Sequence, residues 1–243
     1  STGIPTKSEQ SDLNIALYGM HGDAPHLVLA PNSLSDCLFT TQWAVHLAEA
    51  LQTAAIVLSD QSMGQARAVI PRPADVAFMA KRDKPAVAAE PKYQRYAATA
   101  SGVSPMAIPG MAGFQYTADG LEHNETGTPS SSVADHAAQL DKRLRKLTQY
   151  NYGDHWADIE GEGDTAVIAW GSSTGPAREA LRRAQSTGKQ AKLISLRLLS
   201  PAQPEKFAEA MKGVKRALVV EQSHSGQFYR YLRAHYDLPP EVR

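Results

Sequence analysis

The chain has 243 residues, 42% of them apolar, which suits one large or two modest domains with real cores. Twenty-five Lys and Arg balance twenty-five Asp and Glu, so no electrostatic footprint points to nucleic acid or to an anionic membrane surface. The single Cys37 excludes an internal disulfide and cannot supply the set of thiolates that an iron–sulfur cluster takes; a reducing, cytoplasmic setting fits, and no apolar run approaches the roughly twenty residues of a membrane helix.

The chain opens on Ser1-Thr2-Gly3-Ile4-Pro5-Thr6, a loop-like stretch whose hydroxyls and glycine suit close approach to a ligand. Its first residue is not Met, and we expect further sequence upstream. Tyr18 to Asp23 then sets the titratable His21 beside Gly22 and the Asp23 carboxylate on a bend, a pattern that also makes ordinary solvated turns. Leu27 to Ala30, a helix from about Ser33 to Gln52, and Ala54 to Ser59 spell a strand–helix–strand unit. Ser33 or Ser35 caps the helix, and Leu38, Ala44, Ala48 and Leu51 form its apolar stripe, widened by Val45 and Leu47, with Cys37 and Trp43 packing there. Both strands are apolar throughout, as in a parallel sheet covered on both faces. Two strands and one helix cannot cover themselves, so sheet neighbours must come from elsewhere. Ser59 to Gln65 leaves the second strand at its C-terminal end, where open α/β sheets bind ligands.

From Pro71 to Pro129 the texture changes, with seven of the fifteen prolines and little sign of regular structure. Asp119, Glu122, His123 and Glu125 are the only group in it that offers metal-ligand chemistry, and their spacing matches neither a closed zinc site nor an EF-hand loop. A charged helix follows over Val133 to Tyr150, with Leu140, Leu144 and Leu147 on one face. Beyond Thr165, strands at Ala166–Trp170, Lys192–Leu196 and Ala217–Val220 alternate with helices near Pro176–Gln185, Pro204–Lys212 and Gln227–His235. That alternation predicts a second α/β domain on a parallel sheet.

The first turn of this domain, Gly171-Ser172-Ser173-Thr174-Gly175, satisfies the Gly-x-Ser-x-Gly pattern of a nucleophile elbow, with Glu221 and His224 following in hydrolase order. A serine hydrolase using Ser173 is therefore an alternative. Against it, the acid and the histidine are close neighbours in sequence, and no oxyanion loop precedes the serine. The same turn also reads as a capped strand-to-helix connection, or as an anion site at a helix N-terminus; packing or subunit contact is the role we expect for it and for Glu221 to Gly226.

Taken in order, these motifs resemble the α subunit of the 2-oxoacid:ferredoxin oxidoreductases, most closely the 2-oxoglutarate type. The resemblance rests on Ser-Thr-Gly-x-Pro-Thr at Ser1, Tyr-Gly-x-His-Gly-Asp at Tyr18, Val57-Leu-Ser-Asp-Gln61, Gly-Leu-Glu-His-Asn-Glu ending at Glu125, Gly171 to Gly175, and Val220 to Gly226. It implies that residues 1–70 are the C-terminal part of a pyrimidine-binding domain for thiamine diphosphate, 71–159 an extended linker and helix, and 160–243 a transketolase C-terminal-like domain. It implies oxidative decarboxylation of 2-oxoglutarate to succinyl-CoA with reduction of ferredoxin, coenzyme A being a substrate. A β subunit would bring Mg²⁺, the diphosphate site and a [4Fe–4S] cluster in an (αβ)2 assembly. The family's substrate arginine and thiamine-activating glutamate would lie before Ser1. What carries over here is Ser1, Thr2 and Gly3 as the loop beside the substrate, and His21, Gly22 and Asp23 as the neighbouring loop, with His21 hydrogen-bonding to the substrate or its adduct. The alternative within this resemblance is a non-catalytic assembly subunit.

Overall fold

The computed structural model describes residues 7–23, 25–72, 81–86 and 92–243, so Ser1, Thr2 and Gly3 lie outside the described residues. After a short helix α1 (Leu13–Tyr18), strand β1 (Leu27–Leu29), helix α2 (Asp36–Leu51) and strand β2 (Ala55–Val57) form the expected unit. β1 and β2 are parallel, Leu27 opposite Ala55 and Leu29 opposite Val57. Leu27, Val28, Leu29 and Ala30 are wholly buried, each large side chain contributing about 1.5–3 kcal/mol by leaving water.

The neighbour that β1 needs is strand β6 (Leu198–Ser200), which pairs with it antiparallel. The first sheet is thus completed by a strand from the far end of the chain. The sequence reading stops at Leu196 because the three residues after Arg197 are too short a stretch to stand out as a strand of their own. Strand β5 (Lys192–Leu196) belongs to the second sheet, and Arg197 is the residue at which the chain passes from one sheet to the other.

The second sheet has the order β3-β5-β4-β7-β8, with β3 (Ala157–Gly161), β4 (Thr165–Trp170), β7 (Arg216–Val219) and β8 (Glu241–Val242). β5, β4 and β7 are parallel as expected, β8 adds a parallel strand that the sequence reading does not include, and β3 runs antiparallel along β5. β3 escapes a hydropathy reading because Asp158 and Glu160 interrupt it; its place comes from a backbone ladder that pairs Ala157 to Gly161 with Leu196 to Lys192. Helices α5 (Thr174–Ser186), α6 (Pro204–Ala210) and α7 (Gln227–His235) connect or follow the strands. One core runs through both sheets, joining Leu29, Trp43 and Leu47 to Trp156, Ile168, Leu196 and Phe228.

α2 departs from its expected stripe. Thr40, Trp43, Ala44, Leu47 and Leu51 face inward, while Leu38 and Val45 are 43% and 61% exposed. Leu38 and Val45 are seven residues apart and share the opposite face. Ser33 supplies the cap, its Oγ accepting from the Asp36 amide at 3.2 Å. Cys37 is half-buried.

Arg197 holds the two sheets together. Its Nε donates to both Asp36 oxygens at 3.0 and 3.1 Å, Nη2 to Asp158 at 2.7 Å and Nη1 to the His155 carbonyl at 2.8 Å. Asn32 closes the network, its Nδ2 donating to Asp158 and to the Ser195 carbonyl at 3.1 Å. Burial by itself would lower the Arg197 pKa; Asp36 first and then Asp158 outweigh it and raise the value. Arg197→Ala leaves the Asp36 and Asp158 carboxylates, 11% and 34% exposed, without their cation, and should cost about 3 kcal/mol of folding free energy in urea unfolding. A loss under about 1 kcal/mol would show that solvent already carries these charges.

A short helix α3 (Gln61–Gln65) follows β2; the described parts of the connector contain no helix or strand, and they lie along helix α4 (Val133–Thr148). α4 buries Gln139, Lys142 and Leu147, whereas Leu144 of the expected face is 53% exposed. Glu122 fixes the connector to this helix, accepting from Arg143 Nη1 at 3.0 Å and Nη2 at 2.7 Å, with His136 at 2.7 Å. Hydrogen bonding from Arg143 holds its pKa down to about 2 against the ordinary 4.5, His136 adding to this and burial opposing it. The folded value is depressed, so the stabilisation is complete above pH ~4.5 and is lost as pH falls towards 2. Glu122→Gln should flatten the dependence of melting temperature on pH across that window, and an unchanged dependence would exclude this pair as a cause of acid loosening.

Candidate functional site

The C-terminal ends of β2 and β4 meet at a cleft lined by Glu9, Asp12, Ser59, Asp60, Trp170 and Ser172 among others. Ser59 to Gln65 is not an open polar loop here. Asp60 caps α3, its Oδ1 accepting from the Met63 amide at 3.1 Å, and its Oδ2 accepts from Ser172 Oγ. The turn after β2 and the turn after β4 are therefore one polar unit.

Gln10 secures it. Its Nε2 donates to the Trp170 carbonyl at 2.8 Å, its Oε1 accepts from the Gln222 amide at 2.8 Å, and its own amide donates to the Gln222 carbonyl at 3.0 Å. A Cβ on Gly171, whose φ is +61°, would stand 2.9 Å from that amide nitrogen, so glycine leaves the space that Gln10 fills. The segment around Gln10 is in this way tied to the ends of β4 and β7. Glu9 Oε2 and the Trp170 indole nitrogen are buried here with no partner among the described residues, leaving one acceptor and one donor. Glu9, Asp12 and Asp60 line the cleft and no Lys or Arg does, so its potential favours N–H or O–H donors and disfavours phosphate. Sequence reasoning passed over Glu9 and Gln10. Their only signal was their place directly after a loop rich in hydroxyls.

His21, Gly22 and Asp23 are exposed, on the turn between α1 and β1 with Gly22 at φ +69°. Thr53 Oγ1, beside the N-terminal end of β2, lies 3.5 Å from the Pro25 carbonyl, so the turn joins the sheet at the end opposite Asp60. The described residues do not bring His21 into the Asp60 cleft. Next to it, Ile15, Tyr18 and Met20 are 69%, 60% and 48% exposed, and Tyr18 Oη pairs with His235 Nε2 at 3.2 Å.

The hydrolase alternative is corrected by the geometry. Ser173 is 2% exposed and its Oγ donates to the Trp170 carbonyl at 2.7 Å, the bond of a packed turn. Glu221 is committed elsewhere, its oxygens accepting from the Phe228 and Tyr229 amides at 2.9 Å and from Ser223 Oγ at 2.6 Å, while His224 is exposed. The acid of the supposed triad caps α7 instead of orienting a base. The Asp119–Glu125 segment makes no metal site either: Glu122 is engaged by Arg143, His123 stacks on Tyr96 at 4.8 Å, and among the described residues no group of His, Cys, Asp and Glu could hold a metal ion.

Comparison with known proteins matches two stretches of the chain. Residues 1–142 match the model for pyruvate flavodoxin/ferredoxin oxidoreductase, thiamine diphosphate-binding, and residues 155–227 match the transketolase C-terminal domain. The chain is 35% identical over 243 residues to the 2-oxoglutarate oxidoreductase subunit KorA of Mycobacterium tuberculosis, covering 97% of this chain and 36% of that protein. It is 30% identical over 252 residues to the 2-oxoglutarate synthase subunit KorA of Methanothermobacter marburgensis, covering all of this chain and 66% of that one. The solved 2-oxoglutarate:ferredoxin oxidoreductase of Magnetococcus marinus, with 2-oxoglutarate, coenzyme A and succinyl-CoA bound, superposes with a TM-score of 0.87 at 35% identity over 100% of this chain and 43% of its own. The chain thus spans between about a third and two thirds of the length of these relatives. They are named as oxidoreductase and synthase subunits, which leaves no support for serine hydrolysis or for a purely assembling role. With a thiamine diphosphate-binding part followed by a transketolase C-terminal domain, the chain belongs to the pyruvate flavodoxin/ferredoxin oxidoreductase family.

Proposed function

We propose that this chain is a segment of the α subunit of a thiamine diphosphate-dependent 2-oxoacid:ferredoxin oxidoreductase acting on 2-oxoglutarate. The observation that carries the reading is the likeness over the whole chain, at 35% identity, to an enzyme solved with 2-oxoglutarate and coenzyme A bound. In the reaction, 2-oxoglutarate and coenzyme A give succinyl-CoA, carbon dioxide and a proton, and an electron pair passes singly to ferredoxin; the reverse direction uses the same groups.

Thiamine diphosphate, when bound, supplies carbanion stabilisation at its thiazolium carbon. The described residues fit only part of that cofactor's needs. The cleft at Glu9 and Asp60 offers acceptors and no cation, which suits amino or hydroxyl donors and not a diphosphate with its Mg²⁺. With one cysteine, the chain does not hold a [4Fe–4S] cluster by itself. A β subunit would therefore carry the metal, the diphosphate site and the cluster, in an (αβ)2 assembly that passes electrons to ferredoxin in the cytoplasm. Residues 1–70 are the end of the pyrimidine-binding domain, 71–159 the linker and helix, and 160–243 the transketolase C-terminal-like domain. Ser1, Thr2 and Gly3 form the loop beside the substrate. His21, Gly22 and Asp23 form the neighbouring loop, with His21 hydrogen-bonding to the substrate, at its distal carboxylate when the substrate is a dicarboxylate.

The test uses the complex purified from its source, following reduction of a viologen dye with thiamine diphosphate, Mg²⁺ and coenzyme A across a panel of 2-oxoacids. Dependence on 2-oxoglutarate and coenzyme A is expected. His21→Ala should raise KM for 2-oxoglutarate by roughly tenfold, the size of one lost charge-assisted hydrogen bond, and leave pyruvate turnover nearly unchanged. Reduction with another 2-oxoacid alone would overturn the substrate assignment, and equal effects on both substrates would remove His21 from recognition.

A further inference from the structure

Four cations converge where the connector crosses α4. Arg95, Lys142, Arg143 and Lys146 line a cavity of about 180 Å³, together with Gln52 and Ser104 among others, and no Asp or Glu lines it. That volume is several times the ~30 Å³ share of a liquid water molecule. Lys142 is 6% exposed, its Nζ donating to the Tyr96 carbonyl at 2.7 Å and to Ser104 Oγ at 3.2 Å. Lys146 Nζ donates to the Gln52 carbonyl at 2.9 Å, and Arg95 Nη2 to Gln52 Oε1 at 2.8 Å. These partners are neutral dipoles, not counter-charges. Glu122 meets only the terminal nitrogens of Arg143, and the Nε atoms of Arg95 and Arg143 are buried with no partner among the described residues.

We propose that this cavity is a binding site for a phosphate-type dianion, held by Arg95, Lys142, Arg143 and Lys146. The unused donors are those such an ion requires: two buried guanidinium N–H groups and the remaining ammonium protons of two lysines. Gly102, at φ +77°, makes the close approach possible, since a Cβ there would stand 2.8 Å from the Lys146 Cβ and 2.7 Å from the Lys142 carbonyl. The charge is costly as it stands. Burial first, and then the neighbouring arginines, pull Lys142 and Lys146 down to about 8, the mark of cations short of a counter-ion; Glu125 offsets this only slightly at Lys142. The anion has two sources of the same chemistry, free phosphate or a phosphate group of coenzyme A, and the second rests on the function proposed above.

The experiment is thermal unfolding of the intact complex in potassium phosphate against potassium chloride at equal ionic strength, for the natural protein and for Lys146→Gln, Lys146→Arg and Arg95→Gln. A saturating, phosphate-specific rise in melting temperature is expected, lost in Lys146→Gln, weakened in Arg95→Gln and kept in Lys146→Arg. No specific rise in the natural protein, or the same rise in both glutamine variants, overturns the site. The source follows from KM: a roughly tenfold higher KM for coenzyme A in Lys146→Gln, with that for 2-oxoglutarate unchanged, assigns the coenzyme's phosphate, and an unchanged value assigns the free ion. An inactive complex would defeat the proposed reaction while leaving the melting response readable.

Discussion

The structure depends on one buried cation at the place where the chain changes sheets. Arg197 follows β5 directly, and the next residues turn away to pair with β1 as β6. A charge at this point has to be neutralised inside the protein, and the two carboxylates that do it come from different parts of the chain, Asp36 at the start of α2 and Asp158 on β3. The guanidinium also lies over the Phe39 ring at 5.3 Å, so a second α2 residue shares its burial. A hydrophobic residue in the same place would fill space equally well but would not specify which helix start meets which strand. Here charge sets the register of two units that a common apolar core then cements.

That register positions the cleft. With β1 and β2 locked to β6, the C-terminal end of β2 comes beside the C-terminal end of β4, and Asp60 reaches Ser172. Strand ends from two separate sheets thereby share one polar turn, to which Gln10 fastens the segment around it. The general preference for ligands at strand C-termini is met by two sheets at once. The His21 turn obeys a different logic. It enters β1 from the opposite end, beside the exposed Ile15, Tyr18 and Met20, where nothing among the described residues covers it.

What the sequence disclosed, and what it withheld, follows from the kind of force behind each element. β1, α5 and β4 are set by local hydropathy and were legible within a residue or two. β3 was not, because its ladder to β5 is a backbone interaction that leaves no apolar trace at Asp158 or Glu160. β6 was hidden by its shortness, since only a tertiary contact tells Leu198 that it has left the sheet of Leu196. The α4 stripe misled for a related reason: Lys142 is buried by hydrogen bonds to Tyr96 and Ser104, while Leu144 stays outside. In the candidate site, the loop motifs were visible as words in the sequence. Their geometry was not, and neither was the pairing of Asp60 with Ser172, which joins residues 112 positions apart.

The same lack of local signal conceals how the charges are arranged. A chain with as many cations as anions gives no hint of polarity, yet the fold sorts the two signs. Carboxylates gather at the cleft where β2 and β4 end, and cations gather where the connector crosses α4. At the cation cluster such gathering has an energetic cost, since like charges repel and burial weakens their solvation. Interleaving of the signs relieves it in part, where Glu122 accepts from the terminal nitrogens of Arg143, one of the cavity's own cations. That the relief reaches Lys142 only slightly, through Glu125, and does not reach Lys146 among the described residues is the physical reason to regard the cation cluster as prepared for a ligand that carries negative charge.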